Sequence, residues 1–159
     1  MIVTDRRTFV QDRPAGYSTA GDGLPVLLLH GWALGQRTYR AVIESIAEQD
    51  CRVIAPSLPG FGGTPGLPEA DFSLRGYAAW VADLLDVLDV TEPVVVVGHS
   101  FGGRIGVRLA ARQPELVSAL VLTGAPLVRL SPAASPSLGY RLVRQLNRWG
   151  LVPDAVMDA

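Results

Sequence analysis

The chain has 159 residues, 48% of them apolar, enough for one domain with a sizeable core and too many for disorder throughout. A net charge of −1 gives no electrostatic case for nucleic acid or an anionic membrane as partner. All 14 basic residues are arginine, which reflects genome composition, and the lone Cys51 excludes an internal disulfide and reads as a core residue.

Residues 1–14 are polar and lack the apolar stretch of a signal peptide, and the longest apolar runs are of strand length. The expected location is cytoplasmic, with no membrane partner. Thr8–Gln11 and Tyr17–Ala20 are weak strand signals, separated by a break at Pro14-Ala15-Gly16. Ala20-Gly21-Asp22-Gly23 reads as a turn, and Pro25–Leu29 as a buried strand running into His30-Gly31-Trp32. Tyr39, Val42, Ile43, Ile46 and Ala47 recur at helical spacing. The strand Arg52–Ala55 follows, then a glycine- and proline-rich loop from Pro56 to Pro65. A second helix carries Leu74, Tyr77, Ala78, Val81, Leu84, Leu85 and Leu88, with Ser73 as its N-cap. Val94–Val97 reads as a strand buried on both faces, Phe101–Arg112 as a third helix ended by Pro114, and Ala119–Leu122 as another strand. Leu138, Leu142, Leu146 and Trp149 mark a last amphipathic helix, its Arg141, Arg144 and Arg148 on a solvated face. Strand–helix alternation after two weak strands predicts an α/β fold with a mostly parallel sheet and flanking helices. In such sheets ligands bind beyond the carboxyl ends of the strands, where His30, Ser57, Ser100 and Thr123 fall.

The chemistry concentrates in Gly98-His99-Ser100-Phe101-Gly102. A Gly-x-Ser-x-Gly pattern is weak evidence alone, but here it ends a predicted strand and opens a predicted helix. Glycine on both sides relieves crowding around a strained serine, and the helix N-terminus beside it favours negative charge. Backbone N–H groups after His30-Gly31 point toward the same crevice, so those of Trp32 and Phe101 are candidates for an oxyanion hole.

On these motifs the chain resembles the α/β-hydrolase superfamily, in the branch with a His-Gly oxyanion loop, a Pro59-Gly60-Phe61-Gly62 loop and a Gly-His-Ser-x-Gly-Gly elbow. The resemblance implies Ser100 as nucleophile and the N–H groups of Trp32 and Phe101 as oxyanion donors. His30, Gly31, Gly98, His99 and Gly102 would support the elbow and the oxyanion loop, with His99 pointing away from the serine. It implies no metal, no organic cofactor and a small-molecule ester, thioester or related acyl substrate. Ser57 stands where relatives often carry aspartate, which puts the local hydrogen bonding in question.

A serine nucleophile needs a base, and the family order is Ser, then Asp or Glu, then His. Both histidines, His30 and His99, precede Ser100, and residues 101–159 contain none. The acids there are Glu115, read as solvated at a helix end, and Asp154 and Asp158. About six of the family's eight strands are recognisable. At roughly 30 residues per βα unit, the rest would need on the order of 100 further residues. The expectation is an N-terminal part of a hydrolase core over 1–128, with a loop and the start of a cap over 129–159. It is inactive by itself and prone to self-association through the exposed Ala119–Leu122 edge. The alternatives are a non-catalytic remnant acting as a binding module, and a half-enzyme completed by another polypeptide.

Overall fold

The computed structural model describes residues 2–127. Six strands and three α-helices alternate along them: β1 (Thr4–Val10), β2 (Arg13–Ala20), β3 (Leu24–Leu29), α1 (Arg40–Ala47), β4 (Cys51–Pro56), α2 (Leu74–Val87), β5 (Val94–His99), α3 (Phe101–Arg112) and β6 (Val117–Thr123). The helix expected over Leu138–Trp149, the cap assigned to 129–159, Asp154 and Asp158 lie outside the described residues.

The strands form one sheet in the order β1-β2-β4-β3-β5-β6. β1 pairs antiparallel with β2 and β2 with β4, whereas β3, β4, β5 and β6 run parallel. The mostly parallel sheet with flanking helices is thus as expected. The first turn is not. β1 and β2 are joined at Gln11 (φ 51°) and Asp12 (φ 58°), a two-residue hairpin turn, and Pro14-Ala15-Gly16 lies inside β2. The proline is tolerated because Arg13–Gly16 pairs with β1 alone, and β4 joins only from Tyr17 onward.

Side chains alternate between two cores, as strand geometry requires. Leu27, Leu29, Ile54, Val94 and Val96 pack with Tyr77, Trp80, Val81, Leu84, Leu85, Ile105 and Leu109 of α2 and α3. Val26, Leu28, Val53 and Ala55 pack on the opposite face with Ile43 and Ala47 of α1. Each fully buried aliphatic side chain contributes about 1.5–3 kcal/mol. The second core is smaller, since it is built on one eight-residue helix. For that reason β5 departs from expectation: Val94 and Val96 are buried, but Val95 and Val97, facing the α1 side, are only half-buried. Cys51 is likewise half-buried at the margin of this core, its thiol near the Gln49 carbonyl.

Ser73 caps α2 as predicted, its hydroxyl accepting from the Gly76 N–H at 3.2 Å. β6 ends the described sheet, with Leu120 and Val121 exposed. No helix among the described residues is long and apolar enough to cross a membrane.

Candidate active site

β5 ends at His99 and α3 begins at Phe101, so the chain reverses over the single residue Ser100. Its φ of 49° and ψ of −109° place a β-carbon where glycine is normally required. Neighbours hold it there: the Ser100 N–H donates to the Thr123 carbonyl at 2.9 Å, and its own carbonyl accepts from Arg104 N–H at 3.3 Å. The reversal brings strand and helix into contact, and a β-carbon on Gly98 would sit 2.5 Å from Gly103 Cα. Backbone strain of this kind costs on the order of 1–3 kcal/mol. Ser100→Gly is therefore expected to stabilise the fold by about 1 kcal/mol, after allowing for glycine's greater freedom when unfolded. Ser100→Ala, which keeps the β-carbon, should not. Equal denaturation midpoints for the two variants would refute stored strain at this turn.

Beside the elbow, the residues after β3 form a loop fixed by His30. His30 is 1% exposed, and both ring nitrogens are engaged. Nε2 accepts from the Leu58 N–H at 2.9 Å, which leaves the proton on Nδ1, and Nδ1 donates to the Gly31 carbonyl at 2.7 Å. That carbonyl also accepts from Leu34 N–H at 3.3 Å. It shares a planar peptide unit with the Trp32 N–H, so gripping the oxygen aims the N–H the opposite way. Burial lowers the His30 pKa, against an opposing contribution from the Gly31 hydrogen bond.

Trp32 and Phe101, the two residues whose N–H groups converge in the sequence reading, touch through their rings, edge to face at 5.3 Å. Neither N–H donates to a backbone carbonyl among the described residues. The contact extends into an aromatic row: Trp32 meets Phe61 at 5.0 Å, and Phe101 meets Tyr77 at 5.0 Å. Trp32 remains 58% exposed.

At Ser57 the hydrogen bonding is complete without aspartate. Its buried hydroxyl donates to Gln36 Oε1 and accepts from Gln36 N–H, each at 3.1 Å. The sequence reading missed Gln36, since nothing local marks a residue 21 positions from its partner.

Neither histidine is placed to serve Ser100 as a base. His30 is fully committed, and His99 turns its Nδ1 to the Tyr39 hydroxyl at 2.8 Å. Glu115 sits exposed in a single 3-10 turn after α3. A groove of about 880 Å³ opens near the same end of the sheet, lined by Asp5, Arg7, Gly16, Gln36, Arg37 and Gly63 among others, and Ser100 is not in its wall.

Residues 25–151 match the family model described as the alpha/beta hydrolase fold. The chain is 35% identical over 120 residues to a soluble epoxide hydrolase of Corynebacterium sp., covering 76% of this chain and 41% of that protein. It is 41% identical over 104 residues to a pimeloyl-[acyl-carrier protein] methyl ester esterase of Chromobacterium violaceum, covering 65% and 38%. The solved structure of the epoxide hydrolase CorEH without ligand superposes with a TM-score of 0.76 at 30% identity, covering 96% of this chain and 53% of that one. The chain thus spans between about a third and a half of the length of such relatives.

Proposed function

This chain belongs to the α/β-hydrolase family, and on that premise we propose that Ser100 is the nucleophile of a serine hydrolase acting on an ester, thioester or related acyl substrate. The observation that carries the reading is the backbone of Ser100, a serine at φ 49° held alone between β5 and α3. In the complete reaction its Oγ attacks the acyl carbon and the carbonyl oxygen becomes an oxyanion facing the N–H groups of Trp32 and Phe101. The leaving group departs with a proton, and water then cleaves the acyl-serine. An oxyanion donor of this kind is worth about 3 kcal/mol of transition-state stabilisation.

Serine also favours an acyl over an epoxide substrate, although the relatives include enzymes of both names. Opening an epoxide with serine leaves an ether, which has no carbonyl for water to attack. A carboxylate nucleophile would leave an ester, and an acylated serine is itself one.

The second reading, a non-catalytic binding module, is favoured by the engagement of both histidines away from Ser100. The two readings meet in the expectation that these 159 residues hold the nucleophile without its base. With imidazole added as an external base, a phosphonylating serine reagent is expected to label the folded chain at Ser100, seen by peptide mass, and to leave Ser100→Ala unlabelled. Turnover of p-nitrophenyl acetate should stay near the buffer rate. Absence of label on Ser100 with imidazole present would overturn the nucleophile assignment. Robust turnover lost in Ser100→Ala would uphold it and overturn the expected inactivity.

A further inference from the structure

The groove between β1, the loop after β3 and the loop after β4 takes no part in the chemistry proposed at Ser100. Its volume of about 880 Å³ is that of a small-molecule pocket, for which the range is roughly 300–1,000 Å³. Arg6, Arg7 and Arg37 stand along it against one acid, Asp5. That carboxylate is already engaged: Oδ1 accepts from the Ser18 hydroxyl at 2.6 Å, and Oδ2 from Arg37 Nε at 2.9 Å. Arg6 and Arg7 are exposed, and neither makes an ion pair among the described residues. The wall stays open at Gly63, where a β-carbon would meet no atom within 4 Å.

Inside the groove is a donor without a partner. Gln36 is only 8% exposed. Ser57 Oγ accepts from the Gln36 backbone N–H and passes its own proton to Gln36 Oε1, each at 3.1 Å. The second bond fixes the amide, since a buried hydroxyl that already accepts must still place its proton. Oε1 is therefore the inward end. Nε2 meets no acceptor among the described residues, yet none of their fully buried side-chain nitrogens lacks a partner. The Nε2 hydrogens therefore open to solvent, and Gln36 lines the groove.

We propose that this groove binds a small organic anion, Gln36 Nε2 donating to an oxygen of its phosphate or carboxylate group and Arg6 and Arg7 supplying the countercharge. An amide N–H held in a largely buried place calls for an acceptor, and the forked donors of arginine match two oxygens of one oxyanion. Ser57 makes the arrangement possible. Its hydroxyl donates to Oε1 and so leaves Nε2 facing out. Aspartate at this position, an acceptor only, would draw Nε2 inward and set a negative charge beneath the groove. Ala33 and Gly62 of the wall directly follow Trp32 and Phe61, so the bound anion rests against the loops that carry those two rings.

The test is ¹H–¹⁵N NMR of the Gln36 side-chain amide in the full chain at neutral pH. Pyrophosphate and citrate are titrated separately, with sodium chloride at matched ionic strength as the reference. A saturable shift of the Gln36 NH₂ group is expected, half-complete at about 1 mM or below. Tighter binding of pyrophosphate assigns a phosphorylated ligand, and tighter binding of citrate a polycarboxylate. The double variant Arg6→Gln, Arg7→Gln, altered only at exposed positions, should bind about 10-fold more weakly or less, the loss of charge-assisted hydrogen bonds. Ser57→Asp should weaken binding at least as far, and the arginine variant reads the same site if Ser57→Asp does not fold. No saturable shift with either probe, the same shift with chloride, or undiminished affinity in the arginine variant would overturn the proposal. None of these outcomes bears on the labelling of Ser100, which lies outside the groove wall.

Discussion

Gly102→Ala is expected to destabilise the chain by about 3 kcal/mol or more, near the upper range for an overpacked site. The added methyl would lie 2.2 Å from the Leu29 carbonyl oxygen and 2.6 Å from that of His30. Both are backbone atoms at the end of β3, so no side-chain rotation relieves the overlap, and α3 must move off the sheet. Gly66→Ala is the control: its nearest neighbour would be Gly60 Cα at 3.9 Å, and the substitution should cost little. Urea denaturation of the two variants reads the difference, and similar midpoints would show that α3 can retreat from β3 at little cost. The same close approach sets the first turn of α3, with the Phe101 N–H, against the loop that follows β3.

The second large effect is at His30. Removing the ring in His30→Ala leaves the Leu58 N–H buried without its acceptor and opens a cavity, a combined cost of about 3 kcal/mol. The pH dependence has a definite sign. Burial makes the folded state hold His30 neutral more strongly than the unfolded chain does. Its pKa is thus lower in the folded state, and the stabilisation is fully present above the ordinary histidine value of about 6.5. As pH falls below that value the unfolded chain takes up the proton first, and stability declines through the window down to the folded-state pKa. His30→Gln, which can accept from Leu58 and donate to Gly31 without titrating, should flatten that decline. Unfolding free energies at pH 7.5 and 5.5 measure it, with His99 common to both proteins. An unchanged slope in His30→Gln would contradict neutral burial.

Much of this architecture is legible in one dimension, for a local reason. Pro25–Leu29 and Val94–Val97 are unbroken apolar runs of strand length, and the runs marked by Tyr39–Ala47 and Leu74–Leu88 repeat at helical spacing, so each announces its own element. Ser73 and the bounds of α3 follow from capping chemistry and from Pro114. The first hairpin is hidden because its turn residues, Gln11 and Asp12, include a glutamine with no turn preference, whereas Pro14-Ala15-Gly16 carries strong turn chemistry inside a strand. The half-buried face of β5 is hidden for another reason: four consecutive valines look alike, and only the short α1 beneath that face distinguishes them.

The amino-acid sequence by itself determined the fold class, the family and the serine at the turn, because these rest on short-range patterns and on glycines next to the residues they serve. Only the tertiary structure decided what the histidines do. An imidazole takes its tautomer, and so its role, from the groups its two nitrogens meet. Those groups are the Leu58 N–H, 28 positions from His30, and the Tyr39 hydroxyl, 60 positions from His99.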